Sequence, residues 1–316
     1  MKSANKRVDP TEVRTIACVG TGVIGGGWVA HFLARGYRVV AWDPGHRAEA
    51  SLRHFVDSAW PALRELGMAD SASRDNLFFE PDLHEACAQA DFVQESAPEV
   101  LSLKRTLLSD IDSATPDHVV ISSSTSGYPM TDMQTECTRP ERTVVGHPFN
   151  PVYLIPLVEV VGGARTDEDA VAWASEFYRH VGKSVITMQR EVYGFVANRL
   201  QEAIWREALH MVAEGEATVE QVDLAITDGP GLRWPIFGPV MTIHLAGGQG
   251  GMAQYLDSFA ATLQAPYTRM AAPELSAELR AILVRGAEDE AAGRSIDDLV
   301  EERDKRIIAV RRAVGR

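Results

Sequence analysis

From Thr15 to Met188 the chain repeats one pattern: a short run of β-branched and apolar residues, then a longer stretch with apolar positions at helical spacing. The short runs are TIACVG, RVVAW, NLFFE, DFVQES, HVVISSS, TVVGHPF, LVEVVGG and SVITM. Their alternation with helical patterns predicts βαβ units and a mostly parallel sheet covered by helices. Helices are expected at about 24–35, 46–66, 83–89, 100–112 and 167–181. Gly36 is placed to end the first of these, and Asp167 to cap the start of the last.

After Met188 the strand-like runs stop. GFVANRLQEAIWREALHMVAEG and VEQVDLAITDG read as amphipathic helices, and a mixed stretch leads to the C-terminus. Ser295, three residues ahead of Asp298, opens a final helix with a capping-box pattern. The expected architecture is α/β: a Rossmann-type, doubly wound, mostly parallel sheet over residues 1–190, then an all-helical domain over 191–316. The boundary falls near Gln189–Tyr193, and residues 1–12 read as a flexible tail. No internal repeat or low-complexity segment interrupts this plan.

Composition narrows the chemistry. A length of 316 residues suits two domains, each with its own core. Apolar residues make up 45% and charged residues 24%, as in soluble globular proteins, and no run approaches the roughly 20 apolar residues of a membrane helix. The opening MKSANKRVDPTEVRT has basic residues with no apolar stretch behind them, so it does not read as a secretory signal. Cys18, Cys87 and Cys137 lack metal-site or redox-pair spacing, which fits a reducing cytoplasm and no resident metal. A formal charge of -13 disfavours nucleic acid as a partner and mildly favours a cationic or zwitterionic small ligand.

The run Gly20-Thr21-Gly22-Val23-Ile24-Gly25 follows a strand and opens a helix, the setting of a dinucleotide site. Gly20 permits the tight turn, Gly22 lets a pyrophosphate approach the backbone, and Gly25 lets the helix pack closely. The anion would rest on the helix N-terminus. Asp43, at the end of the second strand, suits the adenosine ribose hydroxyls and repels a 2′-phosphate, so the expected cofactor is NAD rather than NADP.

Ser126, His147, Glu159 and Asn198 are the candidate catalytic residues. The first three follow, end or lie within expected strands, and Asn198 lies near the start of the first long helix. Oxidising an alcohol requires a base for the hydroxyl proton, and histidine titrates in the useful range, so His147 is the candidate base. Glu159, polar in an apolar strand, is the natural partner for its other ring nitrogen. Ser126 and Asn198 are suited to hydrogen bonds at the substrate oxygen.

HPFNP at 147–151, PLVEVV and GFVANRLQEA closely resemble the 3-hydroxyacyl-CoA dehydrogenase family over nearly the whole chain. The resemblance implies a Rossmann domain followed by a helical dimerisation domain, and hence a homodimer. It implies that His147 and Glu159 form the catalytic pair, with Ser126 and Asn198 touching substrate and cofactor, and that Glu99 and Lys104 lie near the nicotinamide half of NAD. One departure is Tyr193, where many relatives carry proline before the glycine. An NAD-binding structural protein is the non-enzyme alternative; its mark would be loss of the His–Glu pair, and both residues are present.

Within the family, FVQESAPE, SSSTSG, GPGLRWP and HLAGGQGGM look most like the carnitine-oxidising branch, ahead of the gulonate-oxidising and acyl-CoA branches. A quaternary ammonium cannot donate a hydrogen bond and is best held by aromatic faces. Trp234 and Phe237, in a Gly/Pro-punctuated loop, are candidates for that contact, and Arg233 or Ser124 for the carboxylate.

Overall fold

Each of the eight apolar runs in the first half forms a strand. The structure is a computed structural model that describes residues 7–259, 268, 276–279, 281–282, 292–293 and 295–315. Among them the strands are β1 (Thr15–Val19), β2 (Arg38–Trp42), β3 (Leu77–Phe79), β4 (Phe92–Glu95), β5 (Val120–Ser123), β6 (Thr143–Pro148), β7 (Leu157–Gly162) and β8 (Ser184–Thr187). They make one sheet in the order β3-β2-β1-β4-β5-β6-β7-β8. All neighbours pair in parallel except β6 and β7, which are antiparallel. The order reverses between β1 and β4, so the crevice beyond their carboxyl ends is the switch point where a doubly wound sheet takes its ligand.

The helices of this region are α1 (Val23–Ala34), α2 (Ala48–Leu66), α3 (Leu83–Ala88), α4 (Leu101–Ala114), the short α5 (Met130–Met133) and α6 (Glu168–His180). One face of the sheet is covered by an aromatic cluster. Trp28 stacks on Phe32 with centroids 5.1 Å apart, Trp173 stacks on Phe177 at 5.4 Å, and Phe92 of β4 meets Phe177 at 4.5 Å. On the opposite face Val19, Val93, Ile121, Val145 and Val161 pack with Leu108 and Ile111 of α4 and Met130 and Met133 of α5. Alternation along each strand sends successive side chains to these two layers.

Gly36 takes φ +85° just past α1 and donates to the Leu33 carbonyl, as a C-terminal glycine should. Asp167 occupies the N-cap position of α6, but its side chain makes no capping hydrogen bond, correcting that expectation. Its carbonyl accepts from Ala170, while Glu168 and Asp169 place negative charge in the first turn. Of the expected N-terminal tail, residues 1–6 lie outside the described residues. Residues 7–12 are tied to the domain: Arg7 pairs with Asp169, Val8 accepts from Trp173 Nε1, and Asp9 caps the turn Pro10–Glu12.

Chain contacts divide the molecule into two units, Met1–Asn198 and Arg199–Arg316. The second contains most of α7 (Ala197–Ala213), then α8 (Val219–Thr227), α9 (Pro239–Ala246), α10 (Gly251–Phe259) and α11 (Ile296–Ala313). Thr218 and Gln221 form a capping box on α8, and Ser295 and Asp298 form the expected one on α11.

Candidate active site

The glycine turn has the build its spacing predicts. Gly20 has φ +87°, and a Cβ there would lie 2.8 Å from the Ser96 carbonyl group. A Cβ on Gly25 would come within 1.9 Å of the Gly20 oxygen, so only glycine lets α1 start this close to the turn. At Gly22 an added Cβ would meet nothing within 4 Å. Gly22 is also the N-cap of α1 and brings no side-chain cap, so the first-turn N–H groups, which have no partner within the helix, are left for a ligand. Open space and unpaired donors together fit a pyrophosphate.

Asp43 braces the turn from β2. Its Oδ2 accepts from the Thr21 N–H at 2.8 Å and the Thr21 hydroxyl at 3.1 Å, and Oδ1 accepts from the Gly45 N–H at 2.8 Å. Oδ1 keeps acceptor capacity, as contact with a ribose hydroxyl requires.

Glu99 and Lys104 sit beside the end of β4 in different ways. Lys104 is 1% exposed; its ammonium donates to Glu95 at 3.0 Å and to the Ala97 carbonyl at 3.1 Å. Ser123 donates to the same Glu95 carboxylate. Glu99 Oε1 accepts from the Thr125 hydroxyl at 2.6 Å and from the N–H groups of Ser126 and Gly127, both at 3.1 Å. Glu99 thus shapes the Ser126 loop, and Lys104, 3.6 Å from its other oxygen, backs it from inside.

His147 and Glu159 are direct partners in the antiparallel ladder between β6 and β7. Directly opposed residues in such a ladder share a face, so the two side chains meet. His147 Nδ1 lies 2.9 Å from Glu159 Oε2, with both side chains buried. The carboxylate accepts from Nδ1–H, which leaves Nε2 as the ring atom able to take a proton. The other carboxylate oxygen accepts from the Val196 and Ala197 N–H groups at 2.9 and 3.0 Å. Burial pushes the Glu159 carboxyl up, but the His147 bond and the two backbone donors outweigh it and hold the group below the ordinary glutamate value. Phe195 is fully buried at φ +51° and packs 5.2 Å from the imidazole, with Phe149 at 4.8 Å on an edge.

Asn198 donates from Nδ2 to the Ser126 carbonyl at 3.0 Å, bringing the two together. The Ser126 side chain is exposed. Ser124, expected as one contact for a carboxylate, has its oxygen taken instead: it accepts from Trp28 Nε1 at 3.1 Å and Gln94 Nε2 at 2.9 Å, and it lies 2.8 Å from Ser96 Oγ. Arg233, Trp234 and Phe237 lie in one turn of the second unit, where the Phe237 N–H donates to the Arg233 carbonyl at 2.9 Å. Phe237 is exposed and Trp234 half-buried.

Sequence reasoning missed Val196, Ala197, Gln94 and Ser96. The first two act through backbone N–H groups, which leave no mark on residue identity. Gln94, a polar residue inside an apolar run, carried the same signal that exposed Glu159.

Along the chain, a dinucleotide turn leads to a buried histidine–carboxylate pair and then to a helical unit. Residues 15–192 match the family model for the 3-hydroxyacyl-CoA dehydrogenase NAD binding domain, and residues 194–281 that for the family's C-terminal domain. The chain belongs to the 3-hydroxyacyl-CoA dehydrogenase family and is an NAD-dependent dehydrogenase acting on a CH–OH group. Among its relatives, the L-carnitine dehydrogenase of Nocardiopsis dassonvillei is 65% identical over 98% of this chain and 94% of that one. The L-carnitine dehydrogenase of Streptomyces coelicolor is 64% identical over 97% and 96%. Among solved structures, 5-formyl-3-hydroxy-2-methylpyridine 4-carboxylic acid 5-dehydrogenase, an NAD+-dependent dismutase, is 27% identical with a TM-score of 0.82, covering 96% of this chain and 99% of that one.

Proposed function

We propose that the protein oxidises L-carnitine to 3-dehydrocarnitine, with His147 as general base. The observation that carries the chemistry is the buried His147–Glu159 pair, whose Nδ1 is bonded to the carboxylate and whose Nε2 has no hydrogen-bond partner among the described residues. NAD, when bound, supplies the hydride acceptor. His147 Nε2 takes the C3 hydroxyl proton, and Glu159 stabilises the imidazolium that results. Ser126 and Asn198 hold the substrate oxygen against Nε2, and Glu99 keeps the Ser126 loop in place. Gly20–Gly25, Asp43 and the Glu99–Lys104 pair position the cofactor.

L-Carnitine as the substrate is supported by the names of the 64–65% identical relatives. Trp234 and Phe237 hold the trimethylammonium by their ring faces, and Arg233 takes the carboxylate. Among the described residues no helix is long and apolar enough to cross a membrane. Action in the reducing cytoplasm is supported by three cysteines that are all free thiols. The helical domain forms a homodimer, a reading supported by exposed Leu200, Ile204, Trp205 and Leu224 on α7 and α8. The test is NADH formation with L-carnitine, D-carnitine, L-gulonate and a 3-hydroxyacyl-CoA offered separately. Turnover is expected chiefly with L-carnitine; brisk turnover of another substrate with none of L-carnitine would overturn the assignment.

A further inference from the structure

The sheet face under α1 and α6 carries a chain of buried polar groups that the dyad does not use. Ser122 Oγ lies 2.7 Å from Tyr178 OH, which donates to Gln94 Oε1 at 2.6 Å; Gln94 Nε2 donates to Ser124 Oγ at 2.9 Å, and Ser124 Oγ lies 2.8 Å from Ser96 Oγ. A Cβ on Gly146 would lie 2.1 Å from the Tyr178 oxygen and 2.4 Å from Ser122 Oγ, so glycine there makes room for the inner end. Ser122, Gln94 and Tyr178 are fully buried, whereas Ser96 is half-buried at the carboxyl end of β4.

The direction of this chain follows from proton counting. Trp28 Nε1 can only donate, so it uses one acceptor position on Ser124. With Gln94 Nε2 facing Ser124, the second position is filled, and the Ser124 proton goes to Ser96. Tyr178 then donates to the Gln94 oxygen, and Ser122 donates to Tyr178. Turning the Gln94 amide over would reverse every step and leave the Ser122 proton, at the sealed end, without an acceptor among the described residues. A buried unpaired donor costs more than any alternative here, so the first direction holds. Its consequence is at the open end: Ser96 accepts from Ser124, and its own proton points away from the network.

Ser96 stands at the switch point. Its backbone abuts Gly20, and its Cβ would lie 3.3 Å from a Cβ on Gly25. We infer that Ser96 is a cofactor-binding residue whose hydroxyl, held as a donor by the Tyr178–Gln94–Ser124 chain, binds an oxygen on the pyrophosphate or nicotinamide-ribose side of NAD. Tyr178 is a positioning residue that acts on the cofactor only through Ser96.

Fluorescence titration with NADH tests this. Ser96→Ala is expected to raise the NADH Kd roughly three- to tenfold, while the Kd for AMP, which carries only the adenosine half, stays unchanged. Tyr178→Phe alone is expected to raise the NADH Kd by a smaller factor, and to add nothing in the Ser96→Ala background. An unchanged NADH Kd in Ser96→Ala, an equal loss for AMP, or losses that multiply in the double variant would each overturn the inference. So would a Ser96→Ala effect confined to the KM of the alcohol substrate.

Discussion

Oε1 of Glu159 accepts the Ala197 N–H at 3.0 Å, so the carboxylate that orients His147 is itself fastened to the first turn of α7. The positive end of that helix and the imidazole favour the same ionised form. Glu159→Gln keeps the shape but removes the charge and permits the wrong tautomer. A fall in kcat of roughly 100- to 10,000-fold is expected, read by steady-state NADH formation.

The same bonds make stability depend on pH. The Glu159 carboxyl is held below its ordinary value in the folded chain, so the unfolded chain binds more protons between the two. The stabilisation is therefore complete above the ordinary value of about 4.3 and declines as pH falls from there through the folded value. Thermal melts across this range should show the wild type losing its advantage over Glu159→Gln on acidification. A constant difference would contradict an ionised Glu159.

His147→Ala removes the base and leaves the cofactor cradle untouched. Turnover should fall by at least about a hundredfold while the NADH Kd stays within about twofold. An active variant would refute the assignment of the base.

Gly22 and Gly25 should part company as alanines. Gly25→Ala drives a methyl against the Gly20 carbonyl and should lower the melting temperature by several degrees, corresponding to about 1–3 kcal/mol. Gly22→Ala projects into open space, so the melting temperature should hold while NADH affinity drops. An unchanged NADH affinity in Gly22→Ala would mean that Gly22 does not border the cofactor.

Trp234→Ala tests the aromatic contact. Removing one cation–π partner should raise the KM for L-carnitine by roughly two- to thirtyfold with little change in NADH Kd. An unchanged KM would eliminate Trp234 from the substrate site.

What could be read from the residues alone was whatever local spacing encodes. The strand, turn and helix around Gly20–Gly25 each have a short-range signature, and so does Asp43 at the end of β2. The His147–Glu159 pair was legible because a charged side chain in an apolar strand demands a partner. Its surroundings were not. Ser124 reads as an available hydroxyl in the sequence, but Trp28, 96 residues earlier in the chain, donates to it. Lys104 sends its protons to Glu95 and Ala97 inside the domain, so it supports the cofactor site from behind, through Glu95 and Glu99, and no spacing in the sequence states that arrangement. Contacts of that range depend on which helix covers which strand, and no periodicity states that.

The reversal of β7 against β6 sets a rule for how this enzyme can vary. Residues 149–156 join the two strands, and β7, buried and paired on both sides, holds the register that puts Glu159 opposite His147. A slip of one residue between β6 and β7 would turn Glu159 toward the opposite layer, since side chains alternate along a strand. Register is therefore part of the catalytic apparatus: a one-residue slip would silence the histidine without altering any residue of the dyad, and the buried Val152, Tyr153 and Leu154 of the connector help to anchor the strands against it.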